Sequence, residues 1–316
     1  MNPSVTPLRY PGGKATLINY VKKFLTSNNI SLDSIMEPYA GTASVSIGLL
    51  RDNIVSHAYI NDADQMVYAF WKTIINNNKE FIEMVNSVDV TLDTWFNFKK
   101  YLIDNPLGKY NQKDVAMAFL FLNRTSFSGI IKAGPLGGKN QNSKYGISCR
   151  FNRKRITDKI HFLSQFSDKI NVYNKDGIKF MRDMIKEYSD AFIYVDPPYY
   201  KVGKFLYNVY FTQEQHEELA NYLKFIEDQP WLLSYNNEDF ILNLYIEKNN
   251  QEIYLDYHSG HYRTKIKEYV FSNRVTPAYE INEDNKNKYI IMLEANLFFI
   301  FFHLILNLPN LFYWLL

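Results

Sequence analysis

A single cysteine, Cys149, occurs among the 316 residues. One cysteine excludes a disulfide framework and a cysteine-rich metal site, and it fits the cytoplasmic location that we expect for this protein. The amino-terminal residues MNPSVTPLRYPGGK contain no apolar core of the kind found in a secretory signal. The formal net charge is only +2, so any affinity for a polyanion must come from local clusters of basic side chains.

Charged residues are also absent from a long stretch at the carboxyl end, where residues 297–316 read LFFIFFHLILNLPNLFYWLL. Its length is close to that of a bilayer span. Asn307, Pro309 and Asn310 interrupt it and no basic residues follow it, which argues against a membrane anchor. We therefore expect residues 291–316 to form a hydrophobic tail without a defined role in the working fold, and we expect no membrane partner.

Short apolar runs that end in acids or turns alternate with segments of helical periodicity, a pattern typical of a mostly parallel α/β sheet. The last two predicted strands have no room for a crossover helix between them, so we expect a terminal antiparallel hairpin. The predicted strands are residues 34–39, 56–62, 169–176, 191–196, 231–235, 252–258 and 267–273.

The region of residues 70–159 interrupts this alternation between the second and third strands. It reads as helices followed by a loop rich in glycine and lysine, so we predict an inserted domain, with residues 1–69 and 160–290 forming one discontinuous domain around it. Residues 132–160 hold eight Lys or Arg side chains and one acid, Asp158. A solvated face is the ordinary explanation of a charge run. The interspersed glycines and the aromatic Tyr145 and Phe151 favour a flexible arm that contacts a phosphate backbone.

Three predicted strands end on acids, namely Glu37, Asp62 and Asp196. In an open parallel sheet, ligands bind beyond the carboxyl ends of the strands. The turn after Glu37 reads PYAGTASV, and Gly41 would let the backbone approach a ligand, although the spaced glycines of a dinucleotide fingerprint are absent. Turn capping explains any one such acid alone. Two successive acids with a small-residue turn between them predict a nucleoside pocket, in which Asp62 accepts ribose hydroxyls.

The segment LRYPGGK, residues 8–14, superficially resembles a phosphate-binding loop. It does not match that template, because position 8 is leucine and Lys14 is followed by Ala15. The aromatic Tyr10, the flexible glycines and the cation of Lys14 instead suit a cap over a ligand that bears a carboxylate.

The segment AFIYVDPPYY, residues 191–200, runs from a buried strand directly into an aspartate and two prolines. The prolines fix φ and carry no N–H, so nearby carbonyls become preorganised acceptors. The Asp196 carboxylate and the Pro197 carbonyl would accept the two hydrogens of a nucleobase amino group, which draws the nitrogen lone pair out of the ring. Tyr199 offers a face on which a base would stack. A simple strand-ending turn explains the prolines but not this aromatic residue.

Together these motifs resemble the Dam-like adenine-specific DNA methyltransferases of the Asp-Pro-Pro-Tyr type, in which the recognition region precedes that motif. The resemblance covers about residues 7–273 and rests on segments that occur in the family's order, namely LRYPGGK, MEPYAGTASV, YINDAD, LNRTSFSG, VYNKD, IYVDPPYY, LLSYNN and EYVFSN. It implies a Rossmann-like methyltransferase sheet of seven strands with an inserted, mainly helical recognition domain. It further implies S-adenosylmethionine as methyl donor and the N6 amino group of a flipped adenine in duplex DNA as acceptor.

The resemblance also assigns residues to sites. The implied cofactor contacts are Tyr10, Lys14, Gly41, Asp62 and Asp196. The implied catalytic motif is Asp196, Pro197, Pro198 and Tyr199. The implied DNA-binding residues are Asn123, Arg124, Lys132, Lys139 and Arg150. Enzymes of this family occur either alone or with a cognate restriction endonuclease as a partner, and the sequence leaves both roles open.

Two positions depart from the family pattern. The usual Gly-x-Gly of the first motif is Gly41-Thr42-Ala43 here, and the extra methyl group would crowd the cofactor slightly. Lys132 stands where enzymes that read GATC carry an arginine. A lysine cannot reproduce a bidentate contact to guanine, so we do not expect GATC recognition, whereas adenine remains the expected target.

The residues fit several other functions less well. His258 and His261 have no evident third ligand, so we expect no metal site. A cytosine-ring methylase needs a nucleophilic cysteine in a Pro-Cys setting, which Cys149 does not provide. An RNA or protein amino-methyltransferase with the same motif is one alternative. The other is a catalytically silent DNA-binding or membrane-tethered protein, against which the intact Asp196 and Lys14 speak.

Overall fold

The computed structural model describes residues 5–9, 13–104, 111–259 and 262–279. Its strands, in chain order, are β1 Ser34–Glu37, β2 His57–Asn61, β3 Ile170–Tyr173, β4 Ala191–Val195, β5 Trp231–Asn236, β6 Asn249–Ser259 and β7 Tyr262–Ser272. They form one sheet in the order β3-β2-β1-β4-β5-β7-β6. Strands β1 to β5 pair in parallel, whereas β7 runs antiparallel to both β5 and β6. The predicted seven-stranded sheet with a terminal hairpin is therefore confirmed.

The helices fill the connections between strands. They are α1 Ile18–Ser27, α2 Ser44–Arg51, α3 Gln65–Asn76, α4 Asn78–Ser87, α5 Leu92–Asp104, α6 Gln112–Thr125, α7 Arg153–Ser164, α8 Gly177–Glu187, α9 Gly203–Leu206, α10 Gln213–Phe225 and α11 Asp239–Leu244. Short 3₁₀ turns occur at Lys14–Leu17, Phe127–Gly129 and Ile147–Arg150. Among the described residues, no helix combines the length and the apolar character needed to cross a bilayer.

The sheet is covered on both faces because successive strand residues point to opposite sides. In β4, Phe192 and Tyr194 belong to one buried cluster, while Ile193 and Val195 belong to the other. Helices α1 to α7 pack on the first face, and α8, α10 and α11 pack on the second. This three-layer arrangement leaves the ends of the strands as the places where polar side chains gather.

The helices between β2 and β3 share the core of the sheet. Phe70 and Trp71 of α3 and Phe119 of α6 lie in the same buried cluster as Ile35 and Ile60 of the strands. The mainly helical character of the insertion agrees with the expectation. The predicted limits at residues 70 and 159 fall inside α3 and α7, so the division into two domains stays a prediction. The predicted tail, residues 291–316, lies outside the described residues.

The turn from β1 into α2 holds its shape through two left-handed residues. Gly41 has φ +46 and Ala43 has φ +45, and Ala43 is fully buried. Glycine adopts this conformation without cost, whereas an alanine there is strained by about 1–2 kcal/mol. The methyl group that departs from the Gly-x-Gly pattern therefore strains the backbone of the turn at the carboxyl end of β1.

Replacing Ala43 with glycine should change the free energy of unfolding by less than about 1 kcal/mol. Relief of the left-handed strain offsets the loss of one buried methyl group and the greater freedom of glycine in the unfolded chain. The matched control is Ala118→Gly in α6, equally buried but in helical geometry, which should cost about 1.5–2 kcal/mol. Urea unfolding of the three proteins measures both. Equal losses in the two variants would contradict the strain at Ala43.

Candidate active site

The functional edge of the sheet lies where β1 pairs with β2 on one side and with β4 on the other. The chain leaves β1 in one direction to build β2 and returns on the other side to build β4, so a crevice forms at their carboxyl ends. Glu37, Asp62 and Asp196 come from these three ends and line one cavity together with Lys14 and Gly41. Of the predicted cofactor residues, the structure thus brings four together, and Tyr10 lies outside the described residues.

The buried Lys14 side chain contacts three other polar side chains at this cavity. It is 3% exposed, and its Nζ lies 3.4 Å from Asp196 Oδ1 and 2.8 Å from Glu268 Oε2. The ammonium also donates to the Tyr199 hydroxyl at 2.5 Å. Burial alone would lower the pKa of Lys14, but the carboxylates of Asp196 and Glu268 outweigh it and raise that pKa above its ordinary value. Lys14 is therefore a permanent cation at the base of the cavity.

Asp196 follows the last residue of β4 and is held from two sides. Ser234 Oγ of β5 donates to its Oδ1 at 3.0 Å, and Lys14 lies on the same oxygen. Burial raises the pKa of Asp196 to about 6, against the opposing effect of Lys14. The two prolines that follow differ in position, because Pro197 is buried whereas Pro198 lines the cavity.

Tyr199 is anchored by its hydroxyl. That group donates to Glu268 Oε1 at 2.5 Å and accepts from Lys14, and the residue is only 8% exposed. The Tyr207 ring stands nearly perpendicular to the Tyr199 ring, with centroids 6.2 Å apart. The next residue, Tyr200, is fixed through its backbone by Asn236 of β5, whose Oδ1 accepts the Tyr200 N–H at 3.1 Å. The Asp-Pro-Pro-Tyr segment is thus bound to β5 and β7 along its length.

Asp62 already uses both carboxylate oxygens within the protein. Its Oδ2 accepts the Gly41 N–H and its Oδ1 accepts the Asp64 N–H, each at 2.9 Å. The turn-capping role considered for this acid is therefore present, while the side chain still lines the cavity. Burial, followed by the neighbouring Asp64, raises the pKa of Asp62 to about 7.

Glu37 is the most deeply placed of the three strand-end acids. It is 3% exposed, and its Oε2 accepts hydrogen bonds from both the backbone N–H and the hydroxyl of Ser46 in α2. Burial raises its pKa to about 8 despite these bonds. A carboxyl group in this state is mostly protonated at neutral pH in the free protein.

Asn123, one of the predicted DNA contacts, makes its hydrogen bonds within the protein. It is fully buried, its Oδ1 accepts the Arg9 N–H at 2.7 Å, and its Nδ2 donates to the carbonyls of Arg9 and Gly129. The DNA contact that the resemblance implies for Asn123 stays a prediction, and the side chain would have to leave these partners to reach DNA. Asn123 instead ties the segment that precedes Lys14 to the inserted helices.

The remaining predicted DNA-binding residues fall into two groups. Arg124 donates to the carbonyls of Arg150 and Pro7, and Lys132 Nζ donates to the carbonyls of Lys204 at 3.1 Å and Tyr207 at 2.7 Å. These two side chains therefore connect loops within the protein. Lys139 and Arg150 are exposed on the loops between α6 and α7.

Sequence reasoning missed several residues of the site. Glu268 and Ser234 contact the predicted catalytic motif directly, and Asp64 lines the cavity and caps α3 through the Met66 N–H. Ser234 and Glu268 lie in the segments LLSYNN and EYVFSN, which the resemblance includes but to which it gives no site role. For Ser234, a polar residue inside the otherwise apolar strand WLLSYN was the available signal, whereas Glu268 lies in a strand with several other charged residues, YRTKIKEYVFS, and gave no such signal. Among the described residues, no group of three or more His, Cys, Asp or Glu side chains is arranged to hold a metal ion.

Comparison with known proteins relates the chain to DNA methyltransferases. The family model of the D12 class N6 adenine-specific DNA methyltransferases matches residues 10–269. The type II methyltransferase M.MjaIII of Methanocaldococcus jannaschii is 25% identical over 263 residues, covering 75% of this chain and 86% of that protein. The type II methyltransferase M.CviBI of Paramecium bursaria Chlorella virus NC1A is 24% identical over 248 residues, covering 75% and 85%.

Among solved structures, the chain is similar to M. capricolum TrmK in complex with S-adenosyl-homocysteine, at a TM-score of 0.35 and 12% identity, with 92% of this chain and 90% of that chain covered. It is also similar to the human methyltransferase 10 domain containing protein, at a TM-score of 0.36 and 10% identity, with 84% and 82% covered. These scores are too low to support an inference about the site.

The buried acids should make the free protein less stable as the pH rises from about 5 to 8. Glu37 and Asp62 have raised pKa values when folded, so the folded state binds more protons than the unfolded state in this range, and stability falls as they ionise. Each acid contributes a slope of at most about 1.4 kcal/mol per pH unit. Glu37→Gln should reduce this slope in urea unfolding followed across the range. The exposed control Glu83→Gln should leave it unchanged, and an unaltered slope in Glu37→Gln would contradict the assignment.

Proposed function

The chain belongs to the D12 class of N6 adenine-specific DNA methyltransferases, and we propose that it transfers a methyl group from S-adenosylmethionine to the N6 amino group of an adenine flipped out of duplex DNA. The family resemblance seen in the motifs is confirmed by the match over residues 10–269. The main support for the proposed mechanism is that one cavity is lined by four predicted cofactor residues that are far apart in sequence, namely Lys14, Gly41, Asp62 and Asp196.

The charges of the cavity suit this cofactor. The five acids that line it face a single ammonium; they are Glu37, Asp62, Asp64, Asp176 and Asp196. Glu37 and Asp62 are partly or mostly protonated in the free protein, but a bound cation favours their ionised forms. The lining therefore suits a ligand with excess positive charge, as S-adenosylmethionine has in its sulfonium and ammonium groups. Asp62 would accept ribose hydroxyls through lone pairs not used by the Gly41 and Asp64 N–H groups. Gly41 would place its backbone against the ligand, and the predicted contact of Tyr10 would complete the cap.

When bound, S-adenosylmethionine supplies a methyl group whose bond to sulfur breaks with the electron pair staying on the sulfur. The N6 lone pair of adenine forms the new carbon–nitrogen bond, and the nitrogen then releases one proton. Asp196 and the Pro197 carbonyl would accept the two N6 hydrogens and so make that lone pair available. Because the pKa of Asp196 is about 6, its carboxylate is mostly ionised at neutral pH and can take up the departing proton. Tyr199 would support the base from one side.

DNA would lie against the inserted region. Lys139 and Arg150 are exposed there and would contact phosphates, while Arg124 and Lys132 would hold the loops that present them. Residues 70–159 would then act as the recognition domain, and residues 1–69 and 160–290 as the catalytic domain. An enzyme of this kind would work in the cytoplasm, with or without a cognate restriction endonuclease.

The proposal is tested by methyl transfer from tritiated S-adenosylmethionine to duplex DNA, RNA and protein in parallel. We expect label in duplex DNA, recovered as N6-methyladenine, and sequencing of modified bases in DNA from expressing cells would give the recognition site. Label in RNA or protein alone would replace DNA by that substrate. No transfer, together with no cofactor binding by calorimetry, would overturn the proposal in favour of a silent DNA-binding protein.

Asp196→Ala should reduce methyl transfer by at least about 10³-fold, because it removes one of the two acceptors at the amino group. Non-specific DNA binding should stay unchanged, since the phosphate contacts lie elsewhere. The matched control is Asp190→Ala, an exposed acid that precedes the other end of the same strand and should retain full activity. Methyl transfer by Asp196→Ala at near wild-type rate would refute the role of this carboxylate.

Lys139→Met should weaken binding to all duplex sequences about equally. The removal of one phosphate contact should lower the slope of log affinity against log salt by about 1. Lys186→Met is the control, because Lys186 is also exposed but belongs to α8 on the opposite face of the sheet. Fluorescence anisotropy across a salt series gives both slopes. Identical slopes for the two variants would exclude Lys139 from the DNA-binding surface.

A further inference from the structure

Glu268 is a fully buried carboxylate that none of the motif assignments includes. It lies in the second half of β7, at the residue where the pairing with β5 begins, in register with Asn236 at the end of β5. Because β7 runs antiparallel to β5, the β7 residue that pairs with the last residue of β5 lies at the same edge of the sheet as the carboxyl ends of the parallel strands. This topology brings an acid from the terminal hairpin to the site built by β1, β2 and β4.

We propose that Glu268 is a positioning residue for the methyl transfer. It holds the Lys14 ammonium and the Tyr199 hydroxyl in place, so that Lys14 interacts with two carboxylates, those of Glu268 and Asp196. Its two oxygens have different partners, since Oε2 lies 2.8 Å from Lys14 Nζ and Oε1 accepts from the Tyr199 hydroxyl at 2.5 Å. Lys14 is closer to Glu268 than to Asp196, where the separation is 3.4 Å. The inference rests on the proposed function, in which Asp196 accepts from the amino group.

The sharing of the Lys14 ammonium between Glu268 and Asp196 changes how well Asp196 can accept a hydrogen bond or a proton. A carboxylate that is fully paired with an ammonium is a weaker acceptor and a weaker base than one that is partly paired. By drawing Lys14 towards itself, Glu268 leaves Asp196 with more negative charge than a simple Asp–Lys pair would have. The negative charge of Glu268 also raises the pKa of Asp196, alongside the larger effect of burial. The Tyr199 ring is fixed by the same residue, so the base-stacking face and the acceptor are set together.

Several other titratable groups lie around Asp196 and Glu268. Those that face Asp196 or Glu268 are Lys14 from the amino-terminal turn, Glu37 from β1, Tyr194 from β4, Tyr235 from β5, and Tyr199 and Tyr207 from the segment after β4. Burial raises the pKa of Tyr194, Tyr207 and Tyr235 well above the usual value, so these three stay neutral. Glu37 is the remaining acid in this set, and Glu37→Gln is the control variant that removes its charge while Glu268 is kept.

The experiment compares Glu268→Gln with Glu268→Asp. Glutamine keeps the size and can still accept from Tyr199, but it removes the charge, so Lys14 should move fully to Asp196. We expect kcat to fall about tenfold or more with little change in the KM for DNA. The acid limb of the pH–rate profile should shift about one pH unit lower. Aspartate keeps the charge but not the reach, so kcat should fall while the acid limb stays where it is in the wild-type enzyme.

A second measurement does not require activity. The carboxyl carbon of Asp196 can be followed by NMR in the free protein labelled with ¹³C-aspartate, with its signal identified by its loss in Asp196→Asn. The Asp196 titration should move to lower pH in Glu268→Gln. An unchanged titration, or wild-type kcat in Glu268→Gln, would overturn the role of Glu268. If the wild-type protein transfers no methyl group to DNA, the proposed function fails, and the NMR titration still decides whether Glu268 controls Asp196.

Discussion

The buried ammonium of Lys14 is the interaction on which the site depends. A lysine removed from water costs several kcal/mol unless it is paired and hydrogen-bonded, and here Asp196, Glu268 and Tyr199 supply the partners. These partners come from the segment after β4 and from β7, while Lys14 itself comes from the amino-terminal turn. Three distant parts of the chain are therefore held together by one charge, and none of them can shift without leaving a buried charge unpaired.

The sheet order explains why these parts meet. β1 lies between β2 and β4, which opens a crevice at their carboxyl ends, and the antiparallel β7 returns an acid to the same edge. β5 then fixes the catalytic segment from behind, through Ser234 on Asp196 and Asn236 on Tyr200. The hairpin that closes the sheet is thus part of the scaffold of the candidate active site as well as a cover for the edge of the parallel strands.

Sequence alone was sufficient for features that follow from local pattern and parallel topology. Alternating periodicity predicted the seven strands, and acids at strand ends predicted that Asp62 and Asp196 would meet. It was insufficient where a contact depends on register or burial. Glu268 reaches the site only because β7 is antiparallel and pairs in one register with β5, and Asn123 is buried only because the segment around Arg9 packs over it. Such contacts join residues more than a hundred positions apart, as Asn123 and Arg9 show.

The distribution of charge gives the two halves of the molecule opposite preferences. The cavity is lined by acids and would repel the phosphate backbone, whereas the insertion presents the exposed cations Lys139 and Arg150. A nucleotide can satisfy both only if its phosphates stay on the basic surface while its uncharged base enters the acidic cavity. In the proposed function, the same acids would favour a cationic methyl donor over its neutral product, since loss of the sulfonium charge removes the attraction. One set of carboxylates would then distinguish base from backbone and donor from product.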